Sequence, residues 1–224
     1  RKADWLEENY YPAVYGTAIT AARGEVVKFL IGQKNTRKLD QFPDLGGVKI
    51  KLTDKLNFIK DVGGKNSERV AGNYSPAQGI NICISSYDSK ENEWGVYRVA
   101  VHEYVHAASA HFWGNIGLSE HGEELNEGVT EIVSYMIYLE SVQKEKTPLL
   151  GGKGREGKWY ESGYAAYIAE VKEISKKIPV QYFVDAMLNQ NGIESLKSKF
   201  IEAFGNTEPL LQLSKKLKKL NSNN

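Results

Sequence analysis

His102-Glu103-Tyr104-Val105-His106 is an H-E-x-x-H sequence, and it sits inside Val96 to Phe112, a segment whose apolar residues Val99, Val101, Val105 and Ala108 read as helical. On a helix, positions i and i+4 lie one above the other on the same face. Two imidazoles so placed can reach a single ion at about 2.0–2.1 Å, and a nitrogen-rich set suits Zn²⁺ with a position left open for water. Glu103, one residue beyond the first histidine, can reach that water without binding the metal, which makes it the candidate general base.

A site with two histidines needs a third ligand. Downstream runs Leu125-Asn126-Glu127-Gly128-Val129-Thr130-Glu131, within a second helical segment from Glu123 to Leu139. Glu127 and Glu131 are four apart, so their carboxylates share a helix face. One can bind the metal while the other orients a ligating histidine through its second ring nitrogen. Val129, Ile132 and Val133 interleave with the pair and draw this helix into the core, where a carboxylate needs a partner or a cation.

His-Glu-x-x-His followed about twenty residues later by Asn-Glu-x-x-x-Glu resembles the gluzincin arrangement shared by thermolysin-like peptidases and family 1 aminopeptidases. Leu125-Asn126-Glu127-Gly128 is similar to the Leu-Asn-Glu-Gly of the aminopeptidases, and Phe112-Trp113-Gly114-Asn115 is similar to their Trp-Phe-Gly-Asn, displaced by a few residues. The resemblance implies a zinc metallopeptidase with His102, His106 and Glu127 on the metal, Glu131 behind them and Glu103 as base. It also implies an oxyanion-stabilising tyrosine, which Tyr160-Glu161-Ser162-Gly163 places at Tyr160, with Tyr164, His111 and His121 as alternatives. The Gly-x-Met-Glu-Asn sequence by which the aminopeptidases hold a free amino terminus is missing, so the resemblance favours an endopeptidase.

Upstream of the motif the pattern changes to strands. Val48 to Leu52 alternates apolar and polar residues, Leu56 to Val62 reads as a second strand, and Ile80 to Ile84 alternates again. Gly72-Asn73-Tyr74-Ser75-Pro76 followed by Ile80-Asn81-Ile82 resembles the antiparallel edge strand bordering the cleft in these peptidases, with the edge expected near Ile80 to Ile84. A strand in that position can bind a peptide main chain by strand addition. Before the strands, Asp4 to Ile31 reads as helical with Gly32 as a stop, and Gln33 to Gly47 as a loop. After the metal motifs, a Gly/Lys loop at Gly151 to Gly157 precedes helices over Trp159 to Lys177, Pro179 to Asn189 and Ile193 to Phe204, then a basic amphipathic tail.

Strands first and helices after them point to α+β. The resemblance refines this to a zincin-like, two-lobed metallopeptidase forming a single catalytic unit. An N-terminal lobe, residues 1–115, would carry a small mixed sheet and the active-site helix, and a mostly helical lobe would follow over residues 116–224.

Bulk composition agrees with a globular domain: 224 residues, 41% hydrophobic and 25% charged. A formal net charge of +1 gives no field that would favour nucleic acid. No apolar stretch is long enough to span a bilayer. Cys83 alone excludes an internal disulfide framework and leaves the compartment open, with export slightly favoured. The chain begins at Arg1 without a signal-peptide pattern, as a mature form or an excised domain would. The expected partner is a peptide or protein substrate. Two other readings stay open: a toxin-like or effector zinc protease with one protein target, and a zincin-fold binding protein without catalysis.

Overall fold

The computed structural model describes residues 11–37, 44–63, 71–84, 92–110, 123–143, 165–189 and 191–222. The chain divides into two compact units. The first comprises Arg1–Leu30, Pro43–Ala107 and Ile137–Gly154, the second Ile31–Phe42, Ala108–Met136 and Arg155–Asn224. The described residues are mostly helical, with one small three-stranded mixed sheet, in keeping with α+β.

Helix α1 spans Tyr11–Arg37. Tyr15, Ala18, Ile19, Ala22, Val26 and Leu30 recur at helical spacing and are buried, so one stripe of α1 seats it in the core. The helix does not stop at Gly32. A mid-helix glycine costs only about 1 kcal/mol relative to alanine, and nothing at Gly32 forces the backbone out of helical geometry.

The sheet has three strands: β1 (Ile50–Thr53), β2 (Gly72–Ser75) and β3 (Gly79–Cys83), in the order β1-β3-β2. β3 pairs parallel with β1, Ile50 opposite Ile80 and Leu52 opposite Ile82, and antiparallel with β2, Gly72 opposite Ile82 and Tyr74 opposite Ile80. The strand around Ile80 is therefore central, not the edge expected from sequence. Ile80, Ile82, Cys83 and Ile84 are all buried, and a near-continuous apolar run marks a strand covered on both faces. β1 and the half-buried β2 are the two outer strands.

Between β1 and β2 lies helix α2 (Lys55–Val62), where sequence patterning predicted a strand. The deciding residue is Asp54. Its carboxylate accepts a hydrogen bond from the Asn57 backbone N–H at 2.9 Å, an N-cap that satisfies one of the orphan donors of a helix start. Over so short an apolar run the two periods are hard to separate. α2 buries Phe58, leaves Leu56 exposed, and sends Asp61 to the Nζ of Lys51 on β1 at 2.6 Å.

Helix α3 (Asn92–Ser109) carries the H-E-x-x-H residues. Val96, Tyr97, Val99, Ala100, Val101, Tyr104, Val105 and Ala107 are buried and cover most of its circumference, while Arg98, His102 and His106 share the remaining side. A helix with so wide an apolar face is seated in the core. Trp94 stacks on Tyr97 with ring centroids 5.2 Å apart and meets Tyr138 edge-on at 4.7 Å. Tyr138 belongs to helix α4 (Glu123–Gln143).

The remaining helices are α5 (Ala165–Ser175), α6 (Val180–Leu188), α7 (Gly192–Phe204) and α8 (Glu208–Ser222). α6 and α7 form a close pair in which Phe183 meets Phe200 edge-on at 6.2 Å, both rings fully buried. Gly205 ends α7 in the left-handed region at φ 79°. α8 lays Leu210, Leu213 and Leu217 inward, and its Lys216 reaches Glu170 of α5 at 3.2 Å. Among the described residues no helix is long and apolar enough to cross a membrane.

Candidate metal centre

Helical spacing brings the two motif histidines together as expected. The Nε2 atoms of His102 and His106 are 3.0 Å apart, with ring centroids 4.7 Å apart and planes at 74°. Two nitrogens bound to one tetrahedral ion at about 2.0–2.1 Å would be separated by about 3.3 Å, so a small opening of the pair would admit zinc. His102 is buried and His106 half-buried.

Glu127, half-buried in the first turns of α4, completes the group. His102, His106 and Glu127 each offer one ligand atom, and these atoms all lie within 4.8 Å of one another. Two imidazoles and one carboxylate are a donor set that zinc accepts in sites keeping an open position. These three residues could hold a metal ion.

Two tight approaches hold the surroundings. On α4, a Cβ added at Gly128 would lie 3.1 Å from Leu217 Cδ1, 3.6 Å from Val171 Cγ2 and 3.7 Å from Tyr167 Cβ. The residue next to Glu127 is thus the point where α4 packs closely on α5 and α8. At the other approach, a Cβ added at Gly72 would lie 2.4 Å from Val99 Cγ1 and 2.6 Å from Glu103 Oε1. Strand β2 therefore runs directly over the α3 turn that bears Glu103.

Glu103 is only 5% exposed and Glu131 only 2%. Glu131 is not one of the three side chains that converge. It lies one helical turn beyond Glu127, on a stretch of α4 where Thr130 and Ser134 are also buried and the Ser134 hydroxyl donates to the Thr130 carbonyl at 2.7 Å. Tyr104, within the motif, points into the core at 2% exposure. Burial pushes its phenol above the ordinary tyrosine value, while the charge of Arg23 acts the other way. Tyr160 and its alternatives Tyr164, His111 and His121 lie outside the described residues.

Sequence reasoning singled out the titratable residues but not the glycines that seat them. Gly128 stood in the Leu-Asn-Glu-Gly sequence and Gly72 at the head of the Gly-Asn-Tyr segment. Their importance comes from close approach of another element, which periodicity does not encode.

In comparisons with protein-family models, with curated proteins and with solved structures, nothing matches this chain.

Proposed function

We propose that this chain is a zinc-dependent peptidase of zincin-like architecture, holding the ion with His102, His106 and Glu127. The observation that carries the reading is the convergence of these three ligand atoms within 4.8 Å, with Glu103 on the same helical turn as His102. A bound zinc would polarise a scissile carbonyl and lower the pKa of water at the site toward about 7. Glu103 takes the proton from the attacking water and delivers it to the departing amine. Glu131 acts behind the ligands, holding one in orientation. Tyr160 is the proposed donor to the oxyanion, a role in which a single hydrogen bond is worth about 10²–10³ in rate. β2, one of the two outer strands, supplies an edge along which an extended peptide can pair, and an internal stretch of polypeptide suits it as well as a terminus. Endopeptidase action is the preferred form, because the sequence lacks the Gly-x-Met-Glu-Asn by which the aminopeptidases it resembles hold a free amino terminus.

Glu103 favours catalysis over simple metal storage. Holding zinc does not require that residue, and burying a carboxylate beside two histidines carries a desolvation cost that a scaffold would have no reason to keep. The test is cleavage of a mixed peptide library, read by mass spectrometry, with chelator-stripped protein, zinc-restored protein and a Glu103→Gln variant. Zinc-dependent cleavage that Glu103→Gln abolishes is expected. Cleavage of equal rate by Glu103→Gln would remove Glu103 as the base, and the absence of any zinc-dependent cleavage would defeat the reading.

A further inference from the structure

β2 approaches α3 at one residue without a side chain. The position a Cβ would take at Gly72 is 2.6 Å from Glu103 Oε1, 3.0 Å from Glu103 Cγ and 2.4 Å from Val99 Cγ1. The Glu103 carboxylate thus rests against the strand main chain, within van der Waals reach. We propose that Gly72 is a positioning residue for Glu103: its bare main chain forms the wall that fixes where the carboxylate points. The proposal rests on the peptidase reading, in which Glu103 is the base.

The strand and Val99 have little room to yield in this contact. The strand is pinned from the far side, because Cys83 N–H donates to the Ala71 carbonyl at 2.9 Å and Gly72 sits in register with Ile82. Val99 is buried, and a β-branched side chain on a helix has essentially one χ1 rotamer. Glu103 is buried as well, so its carboxylate can turn only by shifting against close-packed neighbours. A methyl group at position 72 would therefore press on both Val99 and Glu103, and the carboxylate, which ends in a rotatable bond, is the group it would displace. Displacement by about 1 Å at a reacting group can cost about 100-fold in rate. The same geometry couples the substrate to the base. A peptide paired on β2 would be held by the strand whose main chain sets the carboxylate, so that one element fixes both reactants.

A packing role alone would place the effect in Val99, and the two can be separated. The proteins needed are wild type, Gly72→Ala, Val99→Ala, Glu103→Ala and the two double variants that combine Gly72→Ala with each of the others. Zinc affinity of Gly72→Ala, read by competition with a chromophoric chelator, should stay within about threefold of wild type, since no ligand is touched. On a peptide that wild type cleaves, kcat should fall about 100-fold with KM changed by no more than a few-fold. Removing the Val99 methyls makes space for the new Cβ. Gly72→Ala should then lower the urea midpoint less in the Val99→Ala background than in wild type, while kcat stays depressed. In the metal-free proteins, Gly72→Ala should lower the midpoint less when Glu103 is already alanine, a non-additivity expected only of groups in contact.

Recovery of kcat together with the midpoint in the Val99 double variant would overturn the proposal in favour of packing. Additive midpoint shifts for positions 72 and 103 would overturn it by removing the contact. If wild type cleaves no peptide, the functional reading fails and the catalytic part of the proposal falls with it. If wild type cleaves with Glu103 essential and Gly72→Ala keeps its kcat, the proposal alone fails.

Discussion

Gly128 offers the sharpest quantitative check on how the Glu127 helix is held. Alanine there would gain about 1 kcal/mol in helix propensity. Its Cβ would meet one tight neighbour, Leu217 Cδ1 at 3.1 Å, with Val171 and Tyr167 at ordinary contact distance. A leucine terminal methyl can give by a few tenths of an ångström, so the gain and the crowding should roughly cancel, leaving Gly128→Ala within about 1 kcal/mol of wild type. Valine is different. It adds two further methyls, fixed in one rotamer, facing Leu217, Val171 and Tyr167, which are all buried at 2% exposure or less. Overpacking of that kind costs about 1–3 kcal/mol, and the lower propensity of a β-branched residue adds about 0.6 kcal/mol. With a urea m-value of about 2–3 kcal/mol/M, Gly128→Val should unfold at a midpoint about 1 M below Gly128→Ala. The assay is urea denaturation of the metal-free variants followed by circular dichroism. Coincident midpoints for alanine and valine would refute the close packing of α4 on α5 and α8. Where the packing holds, Gly128→Val should also weaken zinc binding, because Glu127 is the adjacent residue.

His102→Ala and His106→Ala should each abolish tight zinc binding, and Glu127→Ala should weaken it strongly; retention of wild-type affinity in any of them, measured by chelator competition, would remove that residue from the ligand set. Glu131→Gln should retain zinc with affinity or activity reduced by about 10–100-fold, the usual cost of losing a group that orients a ligand, and a loss as complete as that of His102→Ala would place Glu131 on the metal instead. Tyr104, whose folded-state pKa is raised by burial, contributes stability that is fully present below its unfolded pKa of about 10 and is lost as pH rises through the higher folded value. Stability should therefore fall on the alkaline side, and Tyr104→Phe should lessen that fall in denaturation curves collected from pH 9 to 11.

The helices of the second unit and the H-E-x-x-H helix were legible because their periodicity is long and their burial one-sided or covering most of the helix. α6 and α7 start and end within about two residues of the expected limits, and the pairing of His102 with His106 follows from spacing alone. The failures have local causes. In Leu56 to Val62 the apolar residues satisfy both periods, and the Asp54 cap, a single side-chain hydrogen bond, decided for helix. Gly32 was weighted as a stop although a glycine ends a helix only where the chain must turn. The order of strands was misread because β3 and β2 form one hairpin, and only the parallel partner β1, far off in sequence, makes β3 central. The convergence of Glu127 on the histidines could be expected from resemblance but not from the residues themselves. Spacing along a chain says which groups share a helix face, not which two helices meet.

The most direct test of the account is a calorimetric titration of the metal-stripped chain with Zn²⁺. One site per molecule is expected, filled tightly in wild type, equally filled in Glu103→Gln and lost in His106→Ala. Absence of uptake by wild type, or uptake unchanged in His106→Ala, would contradict the assignment of His102, His106 and Glu127 as a zinc centre.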